Sequence, residues 1–125
     1  MLRLSATLAL VLAAWPSWSA ASTQVSVTSA PEEQQARRLA SAVLKELKRD
    51  PRFTLVDHPS PGVLGISLPA RVGWERRLDW TEILFQARLN SPAGQSQVIA
   101  GRCYNWNMSV CAKQILDAAA KVAGN

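Results

Sequence analysis

The sequence predicts an α+β domain: an antiparallel sheet of about four strands with two helices packed on one face, a two-layer sandwich. Three observations lead there. Residues 31–49 carry an apolar stripe at helical spacing, and a second, Ala-rich helical pattern covers 109–123. Between them, apolar residues alternate with polar ones, the period of half-buried strands. Short turn-forming clusters separate these runs, which favours antiparallel neighbours.

The first twenty-one residues are excluded from the fold. Arg3 supplies a positive n-region, Leu8 to Ala14 an apolar h-region, and Pro16 breaks it ahead of Ser17, Ser19, Ala20 and Ala21. This is the pattern of a secretory signal peptide. Cutting after Ala21 places Ser19 and Ala21 at −3 and −1, whereas cutting after Ala20 places the bulky Trp18 at −3. Ser19 is a second possible cut point. The apolar run is shorter than the roughly 20 residues a membrane-spanning helix needs. No cysteine lies near the cut, so no lipid anchor and no membrane insertion after cleavage are expected. A soluble periplasmic product of about 100 residues, one domain in size, is the expectation.

The elements follow in order. Residues 22–30, STQVSVTSA, read as a short edge strand or a leader. Pro31 suits a first helical position. Glu32 and Glu33 then meet the positive end of the helix dipole, and Lys45, Lys48 and Arg49 its negative end. Ala36, Leu39, Ala40, Val43, Leu44 and Leu47 form the buried stripe, and Asp50-Pro51 stops the helix. Phe53–Asp57 is a strand, 58–62 a Pro-rich loop, and 63–72 the next strand. Pro69 in its middle demands an edge, a bulge or an early end. Residues 73–79 form a charged turn. Along 80–90, Thr81, Ile83, Phe85, Ala87 and Leu89 face the core, with Trp80, Glu82, Leu84, Gln86 and Arg88 opposite. After the turn Ser91-Pro92-Ala93-Gly94, the strand 96–104 leads to the last helix. Ser109 or Asn107 caps it, and Val110, Ile115, Ala118, Ala119 and Val122 are its buried side.

Composition narrows the chemistry. The chain has 14 Lys and Arg against 9 Asp and Glu, a net charge of +5. Losing Arg3 leaves 13 against 9, or +4. This mild, scattered excess permits contact with acidic surfaces. It lacks the dense basic patch of a nucleic-acid binder, so none is expected. Cys103 and Cys111 are an even pair in an oxidising compartment, which favours one disulfide over two buried thiols. Their spacing is not that of a redox Cys-x-x-Cys pair, and without clustered histidines they make a poor zinc site. No metal or other cofactor is expected.

Two clusters are candidate contact surfaces. Tyr104 and Trp106, beside Asn105 and Asn107, lie on the loop between the cysteines. They form either an interaction surface or a cover over the open end of the core. Arg71, Trp74, Arg76, Arg77 and Trp80 surround the turn at 73–79. Trp interleaved with Arg suits a protein or anionic partner, while Glu75, Asp79 and Glu82 allow internal ion pairing on a solvated hairpin tip. The single histidine, His58, lies beside Asp57 and near Ser60, the raw material of a small hydrolase. No nucleophile elbow accompanies them, and no catalytic residue is assigned.

The stretch Leu39-x-x-x-Val43-Leu44-x-x-Leu47, followed by Asp50-Pro51-Arg52-Phe53-Thr54-Leu55-Val56-Asp57, resembles the N-terminal domain of the periplasmic protein TolB and related bacterial envelope modules. Pro92-Ala93-Gly94 and the closing helix take the places of the turn and helix that follow there. The resemblance implies a non-enzymatic envelope module that works through protein contacts. The cysteine pair, the missing β-propeller and the segment after Val56 depart from that pattern, and no functional residue carries over. Protein binding or envelope assembly is therefore the leading expectation. An inhibitor or immunity protein that blocks an exported hydrolase with a rigid loop is the alternative.

Overall fold

The computed structural model describes residues 22–124. The expected signal peptide and its cleavage points lie outside them. Among the described residues the order is β1 (Thr23–Thr28), α1 (Gln34–Arg49), β2 (Phe53–Leu55), β3 (Leu64–Ser67), β4 (Gly73–Arg76), β5 (Thr81–Asn90), β6 (Ser96–Tyr104) and α2 (Met108–Gly124). The α+β class is as read from the sequence. The sheet is not: it has six strands and is mixed. No described helix is long and apolar enough to cross a membrane.

The difference begins at β1. Thr23–Thr28 is neither an edge nor a leader; it lies between β2 and β3 and runs parallel to both. Helix α1 is the crossover that makes β1 and β2 parallel. The short β2–β3 loop is possible because of register. β2 pairs with residues 23–25 of β1 and β3 with residues 25–28 on its other side. The chain steps across β1 at the level of Val25 and need not return along its length, as a parallel connection ordinarily must.

Pro69 ends β3 early. β3 and β4 lie end to end along one edge of β5, pairing with residues 88–90 and 81–84 respectively. β6 occupies the other edge of β5 over its whole length. The connector 68–72 docks on the start of α1. Glu32 N–H donates to Ala70 O at 2.8 Å, and the Glu33 carboxylate accepts from Val72 N–H at 2.7 Å. This moves the helix start from Pro31 to Gln34. Both carboxylates lie before the first turn, because Glu33 is committed to Val72 of the connector.

The helices lie side by side on one sheet face. Leu39, Val43 and Leu47 of α1 meet Val25, Leu64, Ile66, Ile83 and Leu89 of the strands, all at most 2% exposed. The predicted core face of β5 is correct, with Thr81 half-exposed at its start. On α2 the buried side is Met108, Cys111, Ala112, Ile115, Leu116 and Ala119. Val110 is exposed instead, because the Cys111 bridge fixes the rotation of the helix. Arg52 ties the α1–β2 turn to α2. It binds the Asp50 carboxylate at 2.7 Å and Asp117 of α2 at 3.0 Å.

Arg52 holds the Asp50 carboxyl below its ordinary value of 3.8, chiefly through side-chain hydrogen bonds. A depressed carboxyl stabilises the fold above its unfolded value and loses that contribution as pH falls through its folded value. Asp50→Asn is thus expected to be less stable than the wild type at neutral pH, with the gap closing below about pH 4. Urea unfolding of both proteins across that range measures it.

Among the described residues no helix covers the opposite sheet face. Its residues from β5 and β6 are Glu82 with Tyr104, Leu84 with Arg102, Gln86 with Ala100 and Arg88 with Val98. At the outer edge of β6, Gln114 of α2 stands in for a strand. Its Oε1 accepts from Arg102 N–H at 3.2 Å and its Nε2 donates to Arg102 O at 2.9 Å. Gly101 makes room for this. A Cβ there would strike Gln114 Oε1 and lie 2.7 Å from the Phe85 ring. Gly101→Ala is expected to cost about 1–2 kcal/mol by overpacking, read as a lower denaturant midpoint.

Candidate functional site: one aromatic surface from two loops

The two predicted clusters meet. The β4–β5 hairpin is closed by Arg77 N–H donating to Trp80 O at 2.7 Å, which leaves Leu78 and Asp79 at its tip. The β6–α2 loop lies beside it, because Glu82 pairs with Tyr104 across the sheet. The Trp80 and Tyr104 rings meet edge to face at 5.6 Å, and the Trp106 ring stacks on Tyr104 at 6.1 Å and 7°. Such arrangements satisfy the ring quadrupoles. The three rings form a continuous row. Trp106 is 66% exposed and Leu78 is 92% exposed. Trp106 is therefore not a cover over the core.

This row is held rigidly. Cys103 and Cys111 are bridged across a separation of eight residues, which ties β6 to α2 on either side of the loop. Asn105 ties the loop back to β5. Its N–H donates to Thr81 O at 2.8 Å, and its Oδ1 accepts from Thr81 N–H at 3.0 Å. Its carbonyl accepts from Arg38 Nη2 of α1 at 2.7 Å. Asn107 Oδ1 accepts from Ser109 Oγ at 2.8 Å. Both amide oxygens thus serve the loop.

The arginines divide. One Arg77 nitrogen lies 3.1 Å from Glu75 and 3.1 Å from Glu82. Glu75 and Glu82 face each other across the strands, and directly opposed like charges are destabilising. Arg77 bridges that pair and offsets part of the repulsion, and its guanidinium is held above its ordinary pKa chiefly by the hydrogen bond to Glu82. The internal ion pairing foreseen for this turn is real at Arg77. Arg76, Arg77, Leu78, Trp80, Glu82 and Tyr104 line an open hollow of about 690 Å³. Arg71 is elsewhere, 3.6 Å from Glu32. Trp74 pairs with Ile83, so it projects from the helix side of the sheet and stays outside the aromatic row, although it is 59% exposed.

Leu78 and Arg38 escaped the sequence reading as parts of this site. Leu78 carries a legible signal, a lone large apolar residue at a charged hairpin tip. Arg38 carries none, since its contact is 67 residues distant. Asp57, His58 and Ser60 are all exposed on the β2–β3 loop. No hydrogen bond joins their side chains among the described residues, and those residues hold no group of three or more potential metal ligands.

The fold has solved counterparts. Rare lipoprotein B from Shewanella oneidensis aligns with a TM-score of 0.59 at 16% identity, over 79% of this chain and 95% of that one. The hypothetical protein CT253 from Chlamydia trachomatis aligns with a TM-score of 0.51 at 8% identity, over 84% and 100%. At these identities the likeness is one of fold. No family model and no curated protein matches the chain.

Proposed function

We propose that this protein is a non-enzymatic, envelope-associated module that captures a protein partner in the periplasm through Leu78, Trp80, Tyr104 and Trp106. The observation that carries this is the rigid row of exposed aromatics. Large aromatics left in water at a single place, on a scaffold that holds them still, are the composition of an interaction hot spot. The leader-like N-terminus, the fold shared with rare lipoprotein B, and the sequence resemblance to the TolB N-terminal domain support an envelope setting.

The bridged loop also favours a second reading, an inhibitor or immunity protein for an exported hydrolase. A preorganised loop loses little entropy on insertion into a cleft. Immobilised, oxidised protein exposed to an envelope extract, with mass spectrometry of the retained material, tests both. One stoichiometric envelope component supports the assembly reading, and a stoichiometric hydrolase that loses activity on capture supports inhibition. A folded bait that retains no protein contradicts both.

A further inference from the structure

We propose that the outer edge of β6 pairs with the β6 edge of a second copy, antiparallel about a two-fold axis at Val98, to form one continuous twelve-stranded sheet.

The backbone dictates which groups are free. Asn105 N–H donates to Thr81 O, which makes 81 and 105 a hydrogen-bonded pair of the β5–β6 ladder. Residues of that parity in β6, including Gln97 and Ile99, spend their N–H and C=O groups on β5. Those of the other parity, Ser96, Val98, Ala100 and Arg102, turn theirs outward. Gln114 satisfies Arg102. Among the described residues Ser96, Val98 and Ala100 remain without intramolecular partners, and all three are exposed.

That array is its own complement. Antiparallel pairing about Val98 sets Val98 against Val98 and Ser96 against Ala100. The three free N–H groups and three free C=O groups of each copy then find partners, six bonds across the axis. The pairing is bounded on both sides by this chain alone. Arg102 is already occupied by Gln114, and its opposite position falls on Gly94, in the turn closed by Ser91 N–H and Gln95 O. Ser96–Ala100 contains no charge, proline or glycine. Charges and prolines are devices with which soluble proteins protect an edge, and among the described residues the protection of this one is a glutamine placed where self-pairing would stop. No like charges meet across the proposed ladder.

A two-fold normal to the sheet keeps the uncovered faces together. The two Tyr104 residues would then lie twelve positions apart along the paired strands, about 40 Å, both on the same side. A dimer would present two aromatic surfaces at once, which raises avidity for a repeated or paired target.

Sedimentation equilibrium of the oxidised protein over a concentration series reads the association. The wild type is expected to shift from monomer to dimer below about 1 mM. Val98→Lys opposes two ammonium groups across the axis, as Val98→Glu opposes two carboxylates. Each is expected to weaken dimerisation by about tenfold or more, and an equimolar mixture of the two to restore it as a heterodimer. Restoration excludes misfolding as the cause of the loss. Hydrogen exchange at the Ser96, Val98 and Ala100 amides is expected to slow with protein concentration, while that at Ile99 stays constant. A wild type that remains monomeric throughout, or a Val98→Lys protein that dimerises as the wild type does, overturns the proposal.

Discussion

Trp106→Ala is expected to reduce partner capture by about 30-fold while leaving the fold intact. The magnitude is that of a hot-spot truncation, about 2 kcal/mol. The selectivity follows from geometry. Trp106 is 66% exposed and its ring contact is to Tyr104, itself 38% exposed. Little core packing is lost, and a surface substitution of this kind changes stability by about 0.5 kcal/mol or less. Titration of the captured partner against wild type and variant, with thermal unfolding of each, checks both halves. Trp74→Ala is the matched control. It removes an equally large exposed ring from the opposite side of the sheet and is expected to leave capture unchanged.

Replacing Cys103 and Cys111 together by alanine is expected to lower unfolding stability by about 2.5 kcal/mol. The chain-entropy relation gives this for the short loop that the bridge closes. Partner capture should fall as well, because the bridge fixes the end of β6 against α2 and so sets the attitude of Tyr104 and Trp106. Asn105 still ties the loop to Thr81 in the variant, so the loss of capture should be partial. Guanidinium unfolding with and without reductant measures the first effect, and capture under the same conditions the second. A reduced protein as stable as the oxidised one would show that the bridge is incidental.

How far the fold was legible depended on whether the deciding contacts were local. The body of α1, the strands β5 and β6 and α2 were legible because period and turn chemistry are written within each segment. The placement of β1 was not. Val25 and Val27 alternate with polar residues as an edge strand would. What makes the strand interior is the stagger of β2 and β3 on its two sides, a long-range property. The start of α1 was misplaced for a similar reason. Pro31, Glu32 and Glu33 make a good local helix start, and the Val72 N–H draws the Glu33 carboxylate away. The phase of α2 was set by the bridge at Cys111 against the local preference to bury Val110.

The site shows the same division. Tyr104 and Trp106 were recognisable as aromatics on a bridged loop, and Trp80 as an aromatic among arginines. That they form a single row depends on the register that sets Glu82 opposite Tyr104, which neither loop encodes alone. Trp74 and Arg71 were grouped with Trp80 by proximity in sequence. Strand alternation sends Trp74 to the other face, and the connector at Pro69 carries Arg71 away to Glu32.

The most direct measurement of the central claim is site-specific photo-crosslinking from position 106, with position 45 on the exposed side of α1 as the reference, in cells that export the protein. The binding account predicts one discrete crosslinked protein from position 106 and none from position 45. Crosslinking from position 45 but not from 106, or from neither position with the protein folded and oxidised, would contradict it.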